Sequence, residues 1–383
     1  MDVINNKKIV FFIKSEYKDK KVISLHAPVF IGNEKKYLAD CINSTFVSYV
    51  GKYVIDFEES VKKITGTKYA IAVSSGTAAL HISLLLVGVK SGDEVITQAL
   101  TFVATANAIN YTGARCIFLD SDIETLGMDP NKLEIFFKTN VKLVGKKAIN
   151  IKTQRRIAAC VPVHVFGHPC QIDRIIAICK KYYIPVIEDA AESMGSYYKD
   201  KHTGTFGSLG ILSFNGNKII TTGGGGMILT NSALLANRAK FLTTTAKKKH
   251  PWEFIHNEVG YNYRMPNINA AVGCAQMETL EKFLKNKREL AKIYENFFKN
   301  SNITFVKEPV ACKSNYWLNT LIFKNRIKRD NFLEYSNKNG VMTRPAWRLM
   351  DRLPMYKNCQ TDGLETAKWL EERIVNIPSG VRL

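Results

Sequence analysis

The 383-residue chain lacks an apolar run of membrane length. The stretch Ile9-Val10-Phe11-Phe12-Ile13, behind two lysines, falls far short of the roughly 20 residues a spanning helix needs, and no small-residue cleavage site follows it. It is expected to be a short packing element, with no export signal and no membrane partner. A C-x-x-C pair is also missing: the eight cysteines stand at 41, 116, 160, 170, 179, 274, 312 and 359, most of them in apolar or helical stretches. Reduced thiols acting as small hydrophobes, and hence a cytoplasmic location, are expected. His164, His168 and Cys170 lie close together, but no second ligand pair follows at finger-like spacing, so no metal is expected. Acidic residues are scarce. Lys and Arg number 54 against 34 Asp and Glu, a formal charge of +20. Such an excess marks either a nucleic-acid binder or a basic surface. Here the basic residues are scattered as Lys-Lys pairs and the compact run Lys247-Lys248-Lys249 falls in an expected loop. That pattern favours a lysine-rich surface suited to polyanionic substrates, with no nucleic acid partner.

Internal repeats, low-complexity tracts and long flexible linkers are absent as well. What remains is ordinary globular composition, 46% hydrophobic and 23% charged, in a chain long enough for a large domain and a smaller one. Helices are expected from about Asn33 to Ser44 and from Tyr53 to Gly66, with a loop from Phe46 to Gly51 between them. Apolar runs near 69–73, 94–97, 115–119, 157–163, 184–187, 209–213 and 226–229 alternate with amphipathic stretches. This alternation predicts an α/β fold with a mainly parallel, seven-stranded sheet covered by helices. The lysine-rich region from Asn131 to Arg156 reads as a surface helix and a loop. A long helix is expected from about Asn267 to Lys299. A strand at Tyr316 to Phe323, a helix near 328–339 and a last helix near 363–376 form a small α+β C-terminal domain. The expected domains are 1–260, carrying the large sheet and an N-terminal extension, and 261–383, carrying the long helix and the small domain.

Three strand ends carry chemistry. Ser213-Phe214-Asn215-Gly216-Asn217-Lys218 leaves a strand and ends in a lysine followed by apolar and hydroxyl residues, where an amine is partly desolvated and able to form an imine with a carbonyl compound. Ile187-Glu188-Asp189-Ala190-Ala191-Glu192-Ser193 ends a strand in acids. Ligands of open parallel sheets sit at the carboxyl ends of strands, so Asp189 and Lys218 are expected to face one crevice. Ser74-Ser75-Gly76-Thr77-Ala78-Ala79-Leu80 turns a strand into a helix through small residues, a seat for phosphate. A phosphate cup, an acid to keep a pyridine nitrogen protonated and an amine for an aldehyde are what pyridoxal 5′-phosphate requires.

With L-H-A-P-V-F-I-G-N-E at 25–34, S-S-G-T-A-A-L-H at 74–81, V-H-V-F-G-H-P at 163–169, E-D-A-A-E-S at 188–193, G-T-F-G at 204–207, S-F-N-G-N-K at 213–218 and G-Y-N-Y-R-M at 260–265, most of the chain resembles the DegT/DnrJ/EryC1/StrS family of pyridoxal-phosphate-dependent nucleotide-sugar aminotransferases. Within it the chain looks most like the LegC-like branch acting on UDP-linked 4-keto-6-deoxy-2-acetamido sugars. The resemblance implies aminotransferase fold type I and transfer of an amino group, with glutamate as donor, to C4 of a nucleotide-linked sugar for surface-glycan or nonulosonic acid synthesis. Other readings are a C3 aminotransferase, a sugar dehydratase of the same fold, or a regulatory protein without turnover. The dehydratases have histidine in place of the lysine, and Lys218 disfavours them.

Carried onto this chain, the resemblance makes Lys218 the Schiff-base amine and proton carrier and Asp189 the partner of the ring nitrogen. Gly76, Thr77 and Ser213 either bind phosphate or belong to a helix start capped without a ligand, and Phe102 either stacks on the cofactor or packs in the core. Glu192 stands where many members have Gln or His. It meets either the ring oxygen or the substrate, and an ionised carboxylate there would repel a phenolate. The usual G-E-G-G run reads Gly223-Gly224-Gly225-Gly226, without its glutamate anchor. Ser48 and Tyr49 either touch the sugar or belong to a plain connector. His164 either lines the pocket or is a structural histidine, and Arg264 is a candidate for the diphosphate. Arg344, Trp347 and Arg348 are candidates for the entrance. Asn262 either reaches the phosphate in the partner of a homodimer with shared active sites or serves a local turn.

Overall fold

A computed structural model describes residues 4–18 and 20–382. Eight strands run side by side in the order Gln360–Thr361, Arg115–Leu119, Glu94–Gln98, Ile157–Val161, Ile187–Asp189, Leu209–Ser213, Gly226–Thr230 and Tyr69–Val73. Parallel bridges Cys160–Val186 and Val163–Asp189 join the two halves at the centre. Gly226–Thr230 is antiparallel to both neighbours, and the other pairs are parallel. The seven expected strands are present. The eighth, Gln360–Thr361, comes from the C-terminal segment and extends the edge beside Arg115–Leu119.

The strands are apolar on both faces because helices cover both: Ile71, Ile96, Ile117, Val161, Ile211 and Ile228 are all fully buried. Helix Lys52–Thr65 shows how the covering works. Its buried Tyr53, Val54, Phe57 and Val61 recur at helical spacing, and Gly66 ends it with φ +72°. Full burial of each such side chain stabilises the fold by about 1.5–3 kcal/mol. Phe57 meets Phe214 edge-on at 4.9 Å and lies so close to Gly273 that a Cβ there would stand 2.8 Å from its ring. Gly273 thus lets the long helix Asn267–Phe298 pass over Phe57, and Gly273→Ala would force the two apart.

The C-terminal residues add an antiparallel sheet in the order Thr304–Phe305, Asn319–Ile322, Ile374–Ile377, Arg344–Pro345, with helix Arg326–Lys338 beside it. Three expectations need correction. The last helix ends early, at Glu371, and Ile374–Ile377 is a central strand because its alternate residues Val375 and Ile377 face the small core while Ile374 packs into the large one. The N-terminal helix Asn6–Glu16 is the expected packing element, but it buries Ile9, Val10 and Ile13 among Tyr294, Phe332 and Val375. The chain's start therefore packs with the C-terminal unit, and a cut at 260 does not separate the cores. The segment after helix Pro130–Asn140 is a hairpin, Val141–Val144 with Lys147–Asn150. Among the described residues no helix is long and apolar enough to cross a membrane.

Candidate active site

At the carboxyl ends of the central strands a cavity of about 320 Å³ gathers Ser75, Gly76, Thr77, Thr101, Phe102, Thr105, Asp189, Glu192, Ser213, Asn217, Lys218, Trp317 and Trp347 among its walls. Helix Gly76–Leu86 begins there. The Ser75 hydroxyl accepts from the Ala78 N–H at 3.0 Å, and the N–H groups of Gly76 and Thr77 belong to the first turn, which has no intrahelical acceptors. A Cβ on Gly76 would stand 3.0 Å from that of Ser213, so the glycine lets the Ser213 hydroxyl close on the helix start. Hydroxyls and free N–H groups at a positive helix end make an anion seat.

Asp189, 3% exposed, ends the central strand. Its Oδ2 accepts from the Thr105 hydroxyl at 2.8 Å and its Oδ1 from the Ala191 N–H at 3.2 Å. Burial pushes its carboxyl above the usual range, with the Thr105 bond and the Lys218 charge opposing. Lys218 follows a turn in which its N–H donates to the Asn215 carbonyl. Its amine stands 3.6 Å from Glu192 Oε1 and 3.9 Å from the centre of the Trp317 ring, with 13% of the side chain exposed. Glu192 takes the Phe166 N–H on Oε2 at 2.8 Å. Burial lifts its carboxyl to about 7, against the pull of Lys218 and of that N–H. Phe102, half exposed, presents its ring at the cavity mouth 6.2 Å from Trp347.

Other expected residues lie elsewhere. His164 does not line the cavity. It is fully buried, with Nε2 3.1 Å from Glu188 and Nδ1 accepting from the Cys170 N–H, which makes it a structural histidine. Arg264 is also turned away, into a buried ion pair with Glu58 at 2.8 Å, where Glu58 also takes the Ala72 N–H. Ser48, Tyr49 and Asn262 are exposed and outside the cavity of their own chain. Arg348 lines a separate arginine-rich cleft with Arg326, Arg329 and Arg352. The four-glycine loop has an anchor after all: the Asn269 amide donates to the carbonyls of Thr222 at 2.7 Å and Gly224 at 3.3 Å.

The sequence does not single out Thr105 or Trp317 as site residues. Thr101 and Thr105 stand four residues apart in Q-A-L-T-F-V-A-T, Thr105 in the first turn of helix Val103–Tyr111 and Thr101 just before it, and their hydroxyls meet at 3.0 Å. That i, i+4 spacing was the available signal. Trp317 lies 99 residues beyond Lys218 and had none.

The donor set fits pyridoxal phosphate: an anion seat, a buried carboxylate and a primary amine share one cavity. The parallel sheet with Asp189 and Lys218 on neighbouring strand ends defines a pyridoxal-phosphate enzyme of fold type I. The chain belongs to the DegT/DnrJ/EryC1/StrS aminotransferase family, whose sequence profile matches residues 30–383. It is 38% identical over 359 residues to the GDP-perosamine synthase of Escherichia coli O157:H7, covering 94% of this chain and 93% of that protein. It is likewise 38% identical over 337 residues to EpsN of Bacillus subtilis (strain 168), named as a pyridoxal phosphate-dependent aminotransferase, with 88% and 84% covered. Among solved structures, the aminotransferase TlmJ from Streptoalloteichus hindustanus superposes with a TM-score of 0.84 at 26% identity, over 94% of this chain and 93% of that one. The protein is thus a pyridoxal-phosphate-dependent sugar aminotransferase.

Proposed function

We propose that the enzyme transfers an amino group from glutamate to C4 of a nucleotide-linked 4-keto-6-deoxy sugar. The observation that carries this reading is the convergence of Asp189, Lys218 and the start of helix Gly76–Leu86 on one cavity. Pyridoxal phosphate, when bound, supplies an aldehyde for amine exchange and a ring that accepts electrons. In this reading Gly76, Thr77 and Ser213 hold its phosphate, Asp189 keeps its ring nitrogen protonated and Phe102 covers one face. Lys218 carries the proton to and from the sugar carbon. Glu192, with its carboxyl near 7, holds a proton for the ring oxygen, which removes the repulsion an ionised carboxylate would cause.

The chain is proposed to act as a homodimer with shared sites. Exposed Phe30, Ile31, Phe46, Val47 and Val50 support an apolar interface around Ser48 and Tyr49, which would touch the sugar in the other protomer's site, while Asn262 would reach its phosphate. Eight free cysteines, six of them buried, support a reducing, cytoplasmic setting.

Overall resemblance supports a UDP-linked acetamido sugar, and the relative named GDP-perosamine synthase supports a GDP-linked one. Incubation with glutamate and a panel of UDP- and GDP-linked 4-keto and 3-keto sugars, followed by mass spectrometry, decides between them. A 4-amino product on one nucleotide series is expected. No aminated product from any member would overturn the proposal.

A further inference from the structure

Beside the lysine cavity lies a second one of about 700 Å³, and the two share Asn217, Trp317 and Trp347 in their walls. His26 lines the second cavity. Among the described residues neither of its ring nitrogens has a hydrogen-bond partner, and both are shut off from solvent. Buried polar groups are as a rule paired, and an imidazole with both bonds unmade is costly to keep. His168 shows the same lack of partners but packs edge-on against Tyr316, away from either cavity.

Buried polar contacts build the wall that the two cavities share. Lys287, fully buried, donates to the carbonyls of Trp317 and Ser379, and the Trp317 indole donates to the Asn217 carbonyl at 2.7 Å. This ties the long helix, the C-terminal tail and the wall between the cavities together. Burial first, and then the nearby Lys287 and Lys218 amines, push the His26 imidazole well below its ordinary range, so the ring is neutral. A neutral imidazole offers one donor and one acceptor. Its χ2 torsion is soft, which leaves the ring free to turn toward a ligand in the cavity it lines. Across the same cavity Asn376 is nearly buried, with its Oδ1 taken by the Thr320 hydroxyl and its amide nitrogen left over, and the Arg344 guanidinium stands at the rim.

We infer that His26 is a specificity-determining residue that hydrogen-bonds the sugar ring of the nucleotide-sugar substrate where the second cavity opens beside Lys218. The inference rests on the reading of the chain as a nucleotide-sugar aminotransferase. A group bearing hydroxyls and a carbonyl matches a donor and an acceptor on one ring, whereas the needs of the cofactor are met by other residues in the first cavity. The volume suits part of a ligand of that size.

The test is equilibrium binding to the holoenzyme by calorimetry, using the unreactive GDP-mannose and UDP-N-acetylglucosamine and the free nucleotides GDP and UDP. His26→Phe keeps the ring shape and removes both polar atoms. It is expected to weaken the nucleotide sugar that binds by about 10- to 100-fold, the loss of one or two hydrogen bonds, while the matching free nucleotide changes less than about two-fold. His26→Gln is expected to restore most of the affinity, and melting temperatures of both variants check that they fold. Unchanged sugar affinity in a folded His26→Phe, or an equal loss for sugar and free nucleotide, overturns the inference while leaving the aminotransferase reading intact. Failure of the wild-type enzyme to bind any nucleotide or nucleotide sugar overturns both.

Discussion

Glu188 and Asp189 are neighbours on one strand, and their carboxylates serve opposite faces of the sheet. Successive strand residues point to opposite sides. Asp189 faces the cavity and Thr105, while Glu188 faces the interior, where it accepts from the N–H groups of Gly204 at 2.8 Å, Phe206 at 2.6 Å and Gly207 at 2.7 Å and meets His164. One acid is placed for chemistry and the other holds the turn at 204–207.

Glu188→Ala would leave three backbone N–H groups and the His164 ring without their buried acceptor. Removing one partner of such a cluster costs about 3–5 kcal/mol, so in a chain of this length the unfolding midpoint should fall by about 4–6 °C. Differential scanning fluorimetry of the purified variant measures this. A shift under about 2 °C would show that the turn at 204–207 does not depend on Glu188.

Asp189→Asn should retain cofactor yet lose turnover by about 10²- to 10⁴-fold, because an amide cannot keep the ring nitrogen protonated. Thr105→Val, which removes one hydrogen bond to the carboxylate, should cost about 10- to 100-fold. Steady-state kinetics with cofactor content checked by absorbance separates the two effects. Near-wild-type rates in Asp189→Asn would remove it from the mechanism.

The carboxyl of Glu192 lies near 7 in the folded chain, above its ordinary value, because it is buried. Between about pH 4.5 and 7 the folded state therefore binds more protons than the unfolded state, and stability declines as pH rises through that window. Glu192→Gln carries no such proton. The stability difference between variant and wild type, followed from pH 4.5 to 7.5 on cofactor-stripped protein, should move in favour of the variant by about 3 kcal/mol at most. A pH-independent difference would mean that folding does not raise the Glu192 carboxyl.

The strand ends were legible in the sequence because their chemistry is local. S-S-G-T, E-D-A-A-E-S and S-F-N-G-N-K each sit where an apolar run stops, and the sheet brings three strand ends to one edge whatever the loops between them do. His164 was not legible in the same way. Its place depends on the parallel pairing of Val163 with Asp189, which sets His164 beside Glu188, 24 residues away. Nothing in V-H-V-F-G-H-P specifies that pairing. The docking of Asn6–Glu16 among Tyr294, Phe332 and Val375 likewise joins the two ends of the chain, a contact that local periodicity does not record. In the sequence the final strand reads as helix, because Glu365–Glu371 is helical and the change of period at Ile374 is only four residues long.

The position of Asn262 bears on how the active site is assembled. It is exposed, pairs through its backbone with Thr244 and stands outside the cavity that holds Lys218 of the same chain. If it serves the other protomer's phosphate seat, each site combines Lys218 from one chain with Asn262 from the other. Lys218→Ala and Asn262→Ala should then each be folded and severely impaired alone. Mixed in equal amounts after dissociation and reassociation, they would form hybrid dimers in which one site carries both lesions and the other carries neither. Random pairing makes half the dimers hybrid, so roughly one quarter of all sites should be intact and turnover should recover to about that fraction of wild type. Native mass spectrometry establishes that hybrids have formed. If they have and activity stays at the level of the single variants, Asn262 acts within its own chain and the shared-site reading is wrong.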